Sequence, residues 1–150
     1  MSYSVLTLVT NRAKQRFQEA IRLGYGIQAT HFVVGDQGHS PDSPITALTP
    51  DRAFDPSPDL SGNRIPEDAV ISPLAVTSAE DDPNYATVWV CDLDKGVATG
   101  VISSIYLLAK VVYPVTHPEY DLLWVYSVGY TPQSIKTDNE TRTLRIGVQY

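Results

Sequence analysis

Few side chains in this sequence have the type and spacing that chemistry needs. Cys91 is the sole cysteine. A catalytic thiol needs a lowered pKa and an aligned base; Cys91 instead follows Trp89 and Val90 in an apolar run, where a thiol serves as a small hydrophobe. The histidines are His31, His39 and His117. His39 with Asp36 and Asp42 is the one set that puts metal-donor or acid–base groups in a single loop. Its spacing matches no zinc or calcium ligand pattern, and Asp and His are ordinary turn residues, so a plain polar loop is expected. Carboxylates also cluster at Glu80, Asp81 and Asp82 and at Asp92 with Asp94. Acid–base catalysis needs such groups held across a cleft at a set separation, which turns do not provide. The chain has no phosphate-binding glycine loop, no His-Glu-x-x-His and no Gly-x-Ser-x-Gly. The expectation is a protein that is not an enzyme, with no catalytic residues, no cofactor and no metal.

Composition narrows the partners. The chain has 150 residues, which fits a single domain spanning 1–150. Its 11 basic residues are outnumbered by 17 acidic ones, for a formal charge of −6. Nucleic-acid binding requires a basic face against the phosphates, so no nucleic-acid partner is expected. Arg12, Lys14 and Arg16 form only a solvated helix face. One cysteine cannot form an intrachain disulfide. The opening Met-Ser-Tyr-Ser-Val-Leu-Thr-Leu lacks a basic start and a sustained apolar core, so no signal peptide is expected. The apolar stretch at 101–112 is broken by Ser103, Ser104 and Lys110 and is too short to span a bilayer, so no membrane partner is expected.

These residues depend on a small set of elements for their positions. Thr10-Asn11 offers a helix N-cap, Val9, Ala13, Phe17, Ala20 and Ile21 recur at helical spacing, and Gly24 marks the stop. Ile27–Val34 reads as a strand ending in the tight turn Gly35-Asp36-Gln37-Gly38. A long Pro/Asp-rich loop follows at about 39–68, interrupted by a short apolar patch at Ile45–Leu48. Val70–Thr77, Tyr85–Asp92, Val101–Tyr113, Leu122–Tyr130 and Arg142–Val148 read as further strands, with Ala79–Asn84 a polar turn. The predicted fold is α+β: one N-terminal amphipathic helix packed on a mostly antiparallel β-sheet or sandwich of about six strands.

Two of the strands carry apolar side chains on both faces. Leu122, Trp124, Tyr126, Val128 and Tyr130 alternate with Leu123 and Val125, and 101–113 is similar. Such strands need cover on both sides, and one helix cannot supply it all. The expectation is that a second sheet or another subunit covers the remainder. For the aromatic residues Tyr106, Tyr113, Trp124, Tyr126 and Tyr130, core is the first reading and interface the second.

The order of features resembles the N-terminal domain of bacteriophage tail fibres, the tail-collar fibre family. The matching text is Leu8-Val9-Thr10-Asn11-Arg12-Ala13 leading into the helix, Thr30–Gly38 ending in Val-Gly-Asp-Gln-Gly, and Pro41–Leu48 closing on Thr46-Ala47-Leu48. Ile102–Ala109 and Asp121–Val128 match two later strands, so the similarity extends over nearly the whole chain. The acidic residue of the family's Ile-x-Glu strand is replaced here by Ser103 or Ser104. A fibre would continue past Tyr150 into a shaft and tip, so the resemblance implies a virion-attachment module without the host-recognition part.

What the resemblance implies is a structural virion protein: a baseplate or tail adaptor that connects a separately encoded tail fibre to the tail. The implied partners are other tail and baseplate proteins and a tail fibre chain, as a homotrimer or bound to a trimer, in a virion assembled in host cytoplasm. Interface candidates are Gly35, Asp36, Gly38, His39, Trp124, Tyr126, Tyr130 and Tyr150. The alternative is a small carbohydrate-binding module for host-surface recognition, with Tyr25, Tyr85, Tyr120 and Trp124 as stacking platforms.

Overall fold

The structure, a computed structural model, describes residues 2–84 and 86–150. Its elements in chain order are β1 (Ser2–Val9), α1 (Asn11–Leu23), β2 (Ile27–Gly35), β3 (His39–Ser40), β4 (Ser43–Ala47), β5 (Leu74–Ala75), β6 (Ser78–Asp82), β7 (Ala86–Leu93), β8 (Gly100–Val111), β9 (Trp124–Lys136) and β10 (Arg142–Gln149). Strands hold 49% of the residues and helix 9%. This corrects the predicted α+β layout of about six strands under a helix. The molecule is mostly β, with one short helix beside an eight-stranded curled mixed sheet in the order β5-β2-β8-β9-β1-β10-β7-β6. A two-stranded hairpin, β3-β4, forms a separate sheet that packs against β9.

Every neighbouring pair in the large sheet is antiparallel except β1 and β10, which run parallel from Ser2↔Thr143 to Leu8↔Gln149. The two edge strands are consecutive in sequence. β5 pairs with β2 and β6 pairs with β7. Between them the Val76 amide donates to the Thr30 carbonyl at 2.9 Å and the Thr77 amide donates to the Val90 carbonyl at 2.8 Å. One segment therefore ties both edges together and curls the sheet back on itself, which leaves little unpaired edge. Residues 79–82 of the expected polar turn Ala79–Asn84 belong instead to β6, because their backbone supplies this closure.

The concave face holds the main core. Phe32 pairs with Leu107 and Val34 with Ile105, and these join Cys91, Leu93, Leu144, Ile146 and Val148 in one buried cluster. α1 covers the end where β1 finishes and β9 begins, putting Ala13 and Ala20 into that cluster beside Trp124 and Tyr113. Its caps are those the sequence indicates. The Thr10 hydroxyl accepts from the Ala13 amide at 3.1 Å, and Gly24 takes φ of 79°, the left-handed conformation a glycine adopts without strain.

The convex face of β2, β8 and β9 carries a second buried cluster of Val33, Tyr106, Leu108, Val125 and Val128. Within the chain, its cover is not a second sheet. The Pro/Asp-rich loop lies across it, contributing Phe54, Ile65 and Ala69 to the cluster, with Phe54 stacked on Tyr106 at 5.2 Å. The loop has almost no regular structure, so side chains and single amides fasten it. The Arg52 guanidinium donates to the carbonyls of Val9 at 3.0 Å and Tyr150 at 3.1 Å, and the Arg64 amide donates to the Leu123 carbonyl at 2.9 Å. The strap thus meets, from within the chain, the need for two-sided cover that the strand pattern announced.

Candidate functional site

The eight interface candidates separate into two regions. Gly35, Asp36, Gly38 and His39 sit at the end of β2 and the start of the hairpin, with Tyr130 near them on β9. Both glycines there are required by close approach. A methyl at Gly38 would fall on the Ser103 carbonyl, and one at Gly35 on the Asp68 carboxylate and the Ser104 hydroxyl. His39 Nδ1 lies 2.8 Å from the Ser103 hydroxyl, which also accepts from the Gly38 amide at 2.8 Å. His39 is therefore engaged with Ser103, and among the described residues no group of three or more His, Cys, Asp or Glu is arranged to hold a metal ion.

At the centre of this region is a residue the sequence reading passed over. The Asp68 carboxylate accepts from the Ser104 hydroxyl at 2.6 Å, the Tyr106 hydroxyl at 2.8 Å and the Gln37 amide at 3.2 Å. Burial and then the nearby Asp68 charge push the Tyr106 hydroxyl well above the ordinary tyrosine range, so it stays a donor. A cavity of about 340 Å³ opens here, bordered by Phe54, Glu67, Asp68, Tyr106 and Tyr130. Asp68 lies at the end of an irregular acidic loop, and nothing in its local sequence separates it from Asp55 or Asp59. Only the fold does.

Trp124, Tyr126 and Tyr150 lie together at the opposite end, under α1. Trp124 is 4% exposed, which puts it in the core. Tyr126 is half-buried and its ring lies 6.3 Å from those of Trp89, Trp124 and Tyr150. Its hydroxyl is hydrogen-bonded to that of Tyr150, and burial followed by this bond raises its pKa well above the ordinary value. Tyr150 is exposed. Of the stacking platforms proposed for a sugar, Tyr25 packs edge-on against Tyr113 at 5.2 Å, Tyr120 is exposed, and Tyr85 lies outside the described residues.

Next to this end, Arg16 on α1 donates through both Nη atoms to the Glu119 carboxylate at 3.1 Å. The Arg16 hydrogen bond, opposed by burial, holds the Glu119 carboxyl below the ordinary glutamate value of 4.5. A lowered carboxyl pKa contributes stability that is present above the unfolded value and lost as pH falls through the folded one. The tie between α1 and the 114–123 loop is therefore expected to weaken only below about pH 4.5. In Glu119→Gln the acid limb of a pH–stability curve should flatten in that window, as read by thermal melts from pH 3 to 7.

Cys91 is fully buried on β7, and burial and then Asp92 push its thiol up to about 12. A thiol so protonated and shielded does not attack disulfides. Ellman's reagent should therefore label native protein negligibly over hours and stoichiometrically in denaturant.

The helix departs most from its expected packing. Phe17 and Ile21 share the helical spacing of Ala13 and Ala20, yet of these four the alanines alone are buried. Phe17 is 55% and Ile21 64% exposed. Small residues let α1 lie close over the sheet end, and the contact turns toward Arg16 and the Glu119 loop. That rotation moves Phe17 and Ile21, one turn apart, out to solvent.

No helix among the described residues is long and apolar enough to cross a membrane. No family model matches the chain, and no curated protein or solved structure matches it either.

Proposed function

We propose that this chain is a structural assembly protein, an adaptor that joins a separately encoded fibre to a phage tail. The observation carrying this reading is α1, which is well capped and well seated yet presents Phe17 and Ile21 to water. Large apolar side chains paired on an exposed helix face are a recurrent docking feature, read by a partner as anchors one turn apart. The resemblance to tail-fibre attachment domains supplies the kind of partner. The tie of Arg52 to the last carbonyl, that of Tyr150, supports the reading further by fixing the end of β10 beside α1.

The experiment is co-expression with candidate phage tail-fibre and baseplate chains, followed by affinity capture. Wild-type protein should retain a fibre or baseplate chain. Phe17→Asp with Ile21→Asp should lose it while changing stability by no more than about 1 kcal/mol in total, as expected for two exposed positions. Capture undiminished by that double substitution would remove the helix face from the reading.

A further inference from the structure

The hollow beside Asp68 combines aromatic surface and charge that the adaptor reading leaves unused. Its floor is Tyr106, buried beneath Phe54, whose ring stacks on it at 5.2 Å with 21° between the planes. Tyr130 meets Tyr106 edge-on at 6.5 Å and forms the adjoining wall. Phe54 and Tyr130 are each half-buried and pack against the convex cluster, so they hold a fixed corner and still show ring surface to a ligand. The volume, about 340 Å³, is at the lower end of the range for small-ligand pockets, roughly 300–1,000 Å³.

The same corner holds carboxylate charge that no cation of the chain answers. Asp68 has partners, but all of them are neutral: Oδ1 accepts from the Tyr106 hydroxyl, and Oδ2 from the Ser104 hydroxyl and the Gln37 amide. They orient the carboxylate and leave its charge in place, with a lone pair still open on Oδ1. Glu67, next to it on the border, is exposed. Among the described residues neither Glu67 nor Asp68 has an ion-pair partner, and nor does Asp51. Burial raises the Tyr130 hydroxyl above the ordinary tyrosine value; the neighbouring Tyr106 hydroxyl opposes this, and the charges of Asp68 and Asp51 add to it. Both charges therefore reach that wall. Asp55 also borders the cavity, but Arg12 and Arg64 both bind it. Setting the surplus guanidinium of that trio against Asp51, Glu67 and Asp68 still leaves the carboxylates in excess.

We propose that this hollow binds a guanidinium group, which lies against the Phe54 and Tyr130 rings with its N–H groups on Glu67 and Asp68. Guanidinium is the cation suited to both surfaces: its plane stacks on aromatic faces, and its fork of donors matches carboxylates. A metal ion is a poorer occupant, because among the described residues no three His, Cys, Asp or Glu groups converge to hold one. A neutral sugar uses the rings but leaves the charge on Glu67 and Asp68 unanswered. The bound group bridges the strap, through Phe54, Glu67 and Asp68, to the sheet, through Tyr106 and Tyr130. The inference goes beyond the adaptor reading and does not rest on it, since none of these residues lies on α1.

The test is isothermal titration calorimetry of the full-length protein with four probes: N-acetyl-arginine methylamide, its neutral citrulline counterpart, methylguanidinium and N-acetylglucosamine. The arginine compound should bind saturably, the citrulline compound should not, and added salt should weaken the binding through screening. Glu67→Gln, at an exposed position, should weaken it at least several-fold and leave the thermal melt in place. Asp68→Asn, which keeps an acceptor for the two hydroxyls, should reduce it below detection, and melts verify that this variant is folded. Phe54→Leu should weaken it by removing one ring face. Methylguanidinium binding as tightly as the arginine compound supports a free small molecule as the source of the group, and a clear advantage for the arginine compound supports an arginine side chain of another protein. Arginine that binds no better than citrulline, binding undiminished in Glu67→Gln and in folded Asp68→Asn, or saturable binding of N-acetylglucosamine alone each overturns the proposal.

Discussion

Trp124→Ala is expected to cost about 3–5 kcal/mol of folding stability, the range for emptying a buried large aromatic site. Trp124 opens β9, pairs across the ladder with Ala109, and belongs to the cluster that includes Val111, Tyr113, Ala13 and Ala20. That is where the end of the sheet meets the helix. The surrounding backbone cannot collapse into the space. On one side it is fixed by the β8–β9 ladder, and on the other by the Thr10 hydroxyl, which donates to the Val125 carbonyl at 2.8 Å. The loss should appear as a lower urea midpoint with an unchanged m-value, because the unfolded state exposes the same surface. In a domain of this size the melting temperature should fall by roughly 10 °C. An interface role predicts the reverse: stability intact and assembly lost.

The legible and illegible parts of this fold differ for physical reasons. The α1 boundaries were readable because caps are local chemistry: Thr10 and Gly24 act on backbone groups within four residues of themselves. β7, β8 and β10 were readable to within about two residues because period-two alternation is also local. β1 was missed because Val9 fits the helical spacing that follows, and because Ser2–Leu8 gains its strand character from β10, at the far end of the chain. β6 was missed because Ser-Ala-Glu-Asp-Asp has no apolar face. Its pairing with β7 is a backbone matter that side chains do not advertise. The inference of missing cover was sound as physics and incomplete as topology, since curvature shields one face and the strap shields the other. The site residues follow the same division. Gly35 and Gly38 stood out as turn signals, whereas Asp68, Arg16 and Glu119 matter through partners 31 to 103 positions away.

The strap gives the second large effect. Asp68→Ala removes the acceptor shared by Ser104, Tyr106 and the Gln37 amide. Ser104 and Tyr106 are both buried, and each lost partner at such a position costs about 1–3 kcal/mol, so a total near 3 kcal/mol is expected. The consequence is local before it is global. Ala69 bridges to Gly35 and the Val70 amide donates to the Val34 carbonyl at 3.0 Å, so the strap stays anchored just past position 68. The stretch carrying Phe54 and Ile65 is then free to lift from Val33, Leu108, Val125 and Val128. Lifting should show as ANS binding and as proteolytic cleavage within 55–67 under conditions where far-UV circular dichroism is unchanged. Asp68→Asn keeps one acceptor oxygen for the two hydroxyls and should lose about half as much, with little ANS binding. If Asp68→Ala instead melts in one step with no ANS-binding state, cover and sheet form a single cooperative unit, and the strap is as much a part of the core as any strand.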